Sequence, residues 1–300
     1  MFLDEEQVRK LLRMEELIPA MAEALRDLSL GKVQQPVRRV VSVLEHNGFF
    51  GIMPAYAASR HVLGAKLVTF YPNNEGLPTH HAVIQLFRAE TGEPLVTMDG
   101  RLITEMRTAA ASAAATQVLA HAGVSVLAIL GSGVQARSHL EALRLVRPFS
   151  EVRIWSPRHA AKLARECGIT AVASAEEAVR NADVIVVATS STTPVLRGEW
   201  LAPGTHINAV GATRPNWREV DDAVLRRARL YVDSREAAMK ESGDVIAAEE
   251  VFAELGEVIA GVKAGRESPD EITLFKSVGV AVEDVVSADL VYRKALAATS

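Results

Sequence analysis

The 300-residue chain has a single cysteine, Cys167, so no intramolecular disulfide can form and a reducing compartment is expected. Its 33 Lys+Arg are outnumbered by 37 Asp+Glu, a formal net charge of -4, and the basic residues form no cluster. That balance excludes the electrostatic footprint of a nucleic-acid binder. No signal-peptide pattern occurs over Met1-Phe2-Leu3-Asp4-Glu5, which makes the cytoplasm the expectation. Between Arg107 and Arg137 there is no Asp, Glu, Lys or Arg. Thr108, Ser112, Thr116, Gln117, His121 and Ser125 nevertheless interrupt that stretch and glycines split it, so it is not read as a membrane span. No His/Cys/Asp/Glu spacing suggests a metal site, and no nucleophile elbow supports Ser-His-Asp chemistry. What is present, 49% hydrophobic and 23% charged residues, is the composition of a soluble globular enzyme. The length favours two linked units.

Two amphipathic helices open the chain, the first marked by a capping box at Asp4 and Gln7, the second closed by Gly31. Short β-rich runs follow at Val37–Leu44, Phe49–Ile52, Ala65–Tyr71, Ala82–Phe87 and Leu95–Met98, with a turn at Thr91-Gly92. Strands so close together, without helices between them, predict an antiparallel or mixed sheet. Ile103–His121 is then a long Ala-rich helix. Beyond it strands at Val126–Leu130, Val152–Trp155, Val184–Ala188, Ile207–Val210 and Leu230–Val232 alternate with helices at Gln135–Val146, Arg158–Glu166 and Ala175–Arg180. The last of these helices has a capping box at Ser174 and Glu177. This rhythm predicts an α/β fold with a Rossmann-type, doubly wound parallel sheet, joined to a strand-rich α+β unit. Ile272–Phe275 and a helix over Val280–Leu296 are read as a tail.

The strongest local chemistry is Gly131-Ser132-Gly133-Val134-Gln135-Ala136, after an apolar strand and opening a helix. Gly131 permits the tight turn, Gly133 lets backbone approach a pyrophosphate, and Ala136 allows close helix–strand packing. Context makes this a dinucleotide site rather than a bare glycine turn. The next strand ends in Trp155-Ser156-Pro157-Arg158, with no carboxylate to repel a 2′-phosphate. Arg158 either pairs with that phosphate or is a solvated arginine at a helix start. The hydroxyls of Ala188-Thr189-Ser190-Ser191-Thr192 either line the nicotinamide side or cap the turn.

Cations occur in apolar context at Arg38, Lys66 and Arg107. Strand alternation sends Arg38 and Arg39 to opposite faces. A lysine within the apolar strand Gly64–Phe70 needs a counter-charge, either an anionic ligand or a protein carboxylate. His80 and His81 could move protons, or simply be hydrogen-bonded at a strand end. Cys167, followed by Gly168, has the character of a helix-end packing residue.

Taken together, Gln35-Pro36-Val37-Arg38, Gly51-Ile52-Met53-Pro54-Ala55-Tyr56, Lys66-Leu67-Val68-Thr69-Phe70-Tyr71, Met98-Asp99-Gly100, Arg107-Thr108-Ala109-Ala110 and the Gly131 loop form a pattern. It continues through Gly211-Ala212-Thr213-Arg214-Pro215-Asn216-Trp217-Arg218-Glu219 and Lys240-Glu241-Ser242-Gly243-Asp244-Val245. The chain resembles the ornithine cyclodeaminase/mu-crystallin family over nearly its full length, and most closely the mu-crystallin, or ketimine reductase, branch.

The resemblance implies a homodimer whose substrate-binding and dimerisation domain comprises residues 1–108 and 278–300, with a Rossmann domain over 109–277. It implies that Arg38, Lys66 and Arg107 gather around a substrate carboxylate, with Lys66 catalytic, and that His80, Thr213 and Glu241 are further pocket candidates. Coenzyme contacts are expected from Arg107, Thr108, Gly131, Ser132, Gly133, Val134, Gln135, Ser156, Arg158, Thr189, Ser190 and Val210, with NADPH the expected coenzyme and NADH the alternative. The implied reaction is NAD(P)H-dependent reduction of a cyclic imine 2-carboxylate, of pyrroline or piperideine type, to a cyclic L-amino acid. The alternatives are a dehydrogenase or reductive aminase for an acyclic 2-oxo or imino acid of alanine or iminosuccinate type, and a non-catalytic small-ligand binder. In the cyclodeaminase branch an aspartate stands where this chain has Thr213, which implies reduction rather than deamination here.

Overall fold

Along Val62–Leu67, His81–Phe87 and Leu95–Asp99 buried and more exposed side chains alternate, the period of strands covered on one face. The computed structural model, which describes residues 1–299, builds these strands into the first of two units, Met1–Arg107 together with the chain from Gly279. Its strands are β1 (Phe2–Leu3), β2 (Val33–Gln34), β3 (Arg39–Val43), β4 (Gly48–Ala57), β5 (Val62–Phe70), β6 (His80–Arg88) and β7 (Pro94–Asp99). They form a mixed sheet in the order β1-β7-β6-β5-β4-β2, with β3 also on β4. Only β1 pairs in parallel, with β7. Helices α1 (Glu5–Leu11) and α2 (Met14–Ser29) lie between β1 and β2 in the chain, and the capping box forms as the spacing predicts: Gln7 N–H donates to Asp4 at 2.8 Å and Asp4 N–H to Gln7 at 2.9 Å. The C-terminal helix, Ala281–Thr299, packs on α2 and on β4, β5 and β6. The fully buried Leu17, Met21 and Leu25 repeat at four-residue spacing on α2, the period of a helix stripe turned to a core.

β4 runs well past Ile52, where the expected strand stopped short of Pro54. Proline is tolerated because Met53–Ala55 have no strand partner among the described residues on the side away from β5: the first residue of β3, Arg39, pairs with Ile52 and the last of β2, Gln34, with Tyr56. The neighbouring strand stops at Val43 rather than Leu44, because Leu44–His46 is a 3₁₀ turn closed by left-handed Asn47.

The second unit, Thr108–Val278, holds β8 (Val126–Leu130), β9 (Glu151–Trp155), β10 (Thr170–Ala171), β11 (Val184–Val187), β12 (His206–Ala209), β13 (Ala228–Val232), β14 (Ala253–Glu254) and β15 (Ile272–Lys276). All pair in parallel, in the order β10-β9-β8-β11-β12-β15-β13-β14. Every residue of β11, β12 and β15 is buried, as strands covered on both faces require. The chain lays down β8, β9 and β10 in one direction and then returns to β11 on the other side of β8, so the order reverses between β8 and β11. Such a switch point is where doubly wound sheets bind ligands. The expected tail is corrected here: Ile272–Lys276 is an interior strand between β12 and β13, invisible as such because its partners lie far off in sequence. Helix α3 (Arg101–Leu119) runs through the division after Arg107.

Candidate active site

In the first unit, alternation along β5 turns Lys66 inward and Leu67 outward. Lys66 Nζ lies 2.7 Å from Asp284 Oδ2 on the C-terminal helix and 3.5 Å from Thr104 Oγ1. Arg107 binds the same helix: its Nε donates to Asp284 Oδ1 at 3.0 Å and its Nη1 to Glu283 Oε2 at 2.7 Å. All four charged side chains are buried. The counter-charge that an apolar strand lysine needs is therefore supplied by a protein carboxylate. Gly279, at φ +77, lies just ahead of that helix, and a Cβ there would stand 2.5 and 2.6 Å from the Arg107 guanidinium nitrogens. Arg38 Nη2 donates to the Gly279 carbonyl at 2.6 Å. Arg38, Lys66 and Arg107 are thus brought together, although they stand far apart in the sequence.

Burial pushes Lys66 down to about 8; Asp284 opposes the shift, while Arg107 and Arg38 reinforce it. A lysine so placed exchanges a proton near neutral pH. Burial alone would raise Asp284, but Arg107 and Lys66 outweigh it and hold the carboxyl below its ordinary range. His80, half-buried at the start of β6, is pushed down to about 4, first by desolvation and then by Lys66 and Arg107. It is a neutral imidazole at neutral pH, able to hydrogen-bond but not to add charge.

In the second unit the chain leaves β8 through Gly131 and enters α4 (Val134–Val146). Gly131 has φ +118, and a Cβ there would fall 2.2 Å from the Ala188 carbonyl oxygen, so the turn tolerates only glycine. A Cβ at Gly133 would meet nothing within 4 Å among the described residues. No side chain caps α4 at Gly133, and Val134 is exposed; Ala136 N–H turns back to the Gly133 carbonyl at 3.1 Å, while the N–H groups ahead of it stand at the positive end of the helix. Ala136 is fully buried behind them. This cradle fits a pyrophosphate, with room above Gly133 and a helix start that no side chain caps.

Around it, Ser132 Oγ and Ser156 Oγ are 2.8 Å apart, and Ser156 Oγ accepts from His159 N–H at 3.2 Å. That turn delays the helix expected from Arg158, which begins at Ala160, and leaves Arg158 exposed. Thr189 donates to Glu219 through both N–H and hydroxyl, Ser190 is exposed, and Val210 is half-buried just beyond β12. Thr108 is buried and Gln135 half-buried. Thr213 is exposed in the loop after β12, and Glu241 ends the helix Arg235–Glu241. The capping box expected at Ser174 forms in half: Ser174 accepts from Glu177 N–H, but Glu177 turns back to Ala173 N–H.

Five charged residues were not singled out by the sequence as site candidates: Glu283 and Asp284 here, and Glu219, Asp244 and Lys276 in the second unit. A signal existed, since Glu283-Asp284 interrupt the apolar run Ser277–Ala288 and Lys276 ends the apolar strand Ile272–Phe275. The criterion that picked out Lys66 picks out Glu283, Asp284 and Lys276, whereas Glu219 and Asp244 stand in polar stretches that carry no such signal.

A parallel doubly wound sheet with a glycine cradle at its switch point defines a Rossmann-type dinucleotide-binding fold, here carrying a second, strand-rich unit with buried cations. The chain belongs to the ornithine cyclodeaminase/mu-crystallin family, whose model matches residues 1–299. It is 50% identical over 302 residues to the ketimine reductase mu-crystallin of Mus musculus, covering 97% of this chain and 96% of that protein. The Thermococcus litoralis Δ1-pyrroline-2-carboxylate reductase in complex with NADH and L-proline superposes with a TM-score of 0.95 at 41% identity, over 100% of this chain and 98% of that one. An archaeal alanine dehydrogenase dimer with bound NAD superposes with a TM-score of 0.95 at 40% identity, over 100% and 97%. Among the described residues no helix is long and apolar enough to cross a membrane.

Proposed function

We propose that this protein is an NAD(P)H-dependent reductase of cyclic imine 2-carboxylates of the pyrroline or piperideine type, forming the cyclic L-amino acid. One observation carries the reading: Arg38, Lys66 and Arg107 converge in a chain 41% identical to a reductase whose complex holds NADH and L-proline. The first unit binds substrate and the second binds the dinucleotide.

The substrate carboxylate takes charge-assisted hydrogen bonds from the three cations, which orient the C=N group. Bound reduced nicotinamide supplies a hydride. The carbon alpha to the carboxylate receives it, and the ring nitrogen needs a proton. Lys66 Nζ, at about 8, holds one that it can release near neutral pH. Asp284, itself held by Arg107, fixes the ammonium in place, while neutral His80 offers a hydrogen bond without adding positive charge. A panel of cyclic imine carboxylates, alongside 2-oxo acids with ammonia, tests the reading by loss of reduced-nicotinamide absorbance. Consumption confined to the 2-oxo acids would favour the amino-acid dehydrogenase reading that the alanine dehydrogenase similarity supports.

NADPH is preferred over NADH, because no carboxylate ends β9 and Arg158 stands exposed in the following turn. A solvated arginine gives a modest preference, up to about fivefold in kcat/KM. An advantage for NADH would place Arg158 away from the ribose.

Two copies pair through the outer face of the mixed sheet. Ile52, Leu67 and Val83 are cross-strand neighbours there and are 37%, 41% and 42% exposed, an uncovered aliphatic row on the face opposite Lys66. Leu67→Asp is expected to convert the dimer to monomer in light scattering, and an unchanged mass would remove this face from the interface.

Thr213 lacks the basicity to activate water, and the nearest downstream aspartates are occupied elsewhere. Asp221 caps the helix Asp222–Arg227, accepting from Val224 N–H at 2.8 Å, and Asp222 pairs with Arg218 at 2.7 Å. Reduction, not cyclodeamination, is the reaction these residues support.

A further inference from the structure

The loop after β11 is held from below by a buried charge cluster that belongs to neither the glycine cradle nor the cation group. Thr189 N–H and Oγ1 both donate to Glu219 Oε1, at 2.8 and 2.7 Å. Glu219 Oε2 lies 3.7 Å from Lys276 Nζ, which is 3.2 Å from Asp244 Oδ2 and also donates to the Gly211 carbonyl. Asp244 Oδ1 in turn accepts from the N–H groups of Glu219 and Val220, at 3.0 and 3.2 Å. One network therefore ties together the C-terminal ends of β11, β12 and β15. Gly211 is required for it, since a Cβ there would stand 2.4 Å from both Glu219 Oε1 and the Thr189 carbonyl oxygen.

Glu219, Asp244 and Lys276 are all buried, and an ammonium with two carboxylates out of water is a poor way to gain stability when apolar side chains of similar volume would fill the space. Burial raises the Glu219 carboxyl, with Lys276 and the Thr189 bonds opposing, so the protein maintains this arrangement against desolvation. Its place explains the expense. Ligands of doubly wound sheets bind beyond the carboxyl ends of the strands, and the loop that Glu219 holds follows β11, beside the switch point.

We propose that Glu219, braced by Lys276 and Asp244, is a positioning residue for the coenzyme: it fixes the Thr189 loop in advance in the conformation that dinucleotide binding requires. The inference rests on the dinucleotide reading of the second unit. Its test reads coenzyme binding rather than turnover, so an error in the imine assignment leaves it standing.

The dissociation constants of NADH and NADPH are measured by nicotinamide fluorescence on the full chain, together with amide hydrogen exchange over residues 188–193 without coenzyme. Glu219→Ala removes both bonds to Thr189 and is expected to raise the dissociation constant at least about tenfold and to speed exchange of the Thr189 amide. Glu219→Gln keeps an acceptor and is expected to recover most of the affinity. If Glu219→Ala does not fold, Thr189→Val removes one of the same bonds from the loop side and is expected to raise the dissociation constant about threefold or more. Wild-type affinity and exchange in Glu219→Ala, or in Thr189→Val where that variant stands in, would overturn the proposal, as would equal impairment of the Ala and Gln variants. Failure of the unaltered protein to bind either coenzyme would overturn the dinucleotide reading and this inference with it.

Discussion

Lys66→Met is expected to lower kcat/KM for the best cyclic imine carboxylate by about 10- to 100-fold, the worth of one charge-assisted hydrogen bond to a buried anion. The loss should fall on turnover more than on coenzyme affinity, because Lys66 belongs to the first unit and the dinucleotide cradle to the second. In the unaltered protein the same group sets a pH dependence. Lys66 is protonated below about 8 and loses its proton above it, so kcat/KM declines as pH rises through that value. Steady-state kinetics across pH 6 to about 9.5 check both points. Near-normal turnover of Lys66→Met would remove the residue from the mechanism.

Asp284→Asn is expected to destabilise the protein by about 3–5 kcal/mol, since it removes the carboxylate charge that Lys66 and Arg107 share while both cations stay buried. The amide keeps the shape of the side chain, so the loss reports charge and not packing. Urea unfolding followed by circular dichroism measures it, with activity assayed in parallel on the folded fraction. An unchanged midpoint would mean that solvent reaches the cluster and screens it.

The sequence made local features legible and hid distant ones. The Gly131 loop is read from consecutive residues, and strand β8 lies where the apolar run Val126–Leu130 places it. Lys66 stands out because an unneutralised charge in an apolar strand demands an explanation. Its explanation could not be read the same way. The carboxylates that neutralise Arg107 lie 176 and 177 residues away, on a helix whose side of the sheet only the fold decides. Ile272–Phe275 reads as part of a tail for the same reason, since a short apolar run gives no sign of its neighbours, and the ladder with β12 and β13 is what makes it central. The strand expected over Phe49–Ile52 proves longer, because Pro54 is accommodated by a gap between β3 and β2 that no local signal announces.

The activity we propose is hydride delivery to a cyclic imine carboxylate without deamination of ornithine. A paired assay tests it most directly: Δ1-pyrroline-2-carboxylate with reduced coenzyme in one vessel, ornithine with catalytic oxidised coenzyme in the other, proline and ammonia quantified in both. Proline is expected from the imine at the expense of reduced coenzyme, with negligible proline or ammonia from ornithine, because Thr213 supplies no base. Robust release of proline and ammonia from ornithine, or an inert imine, would contradict it.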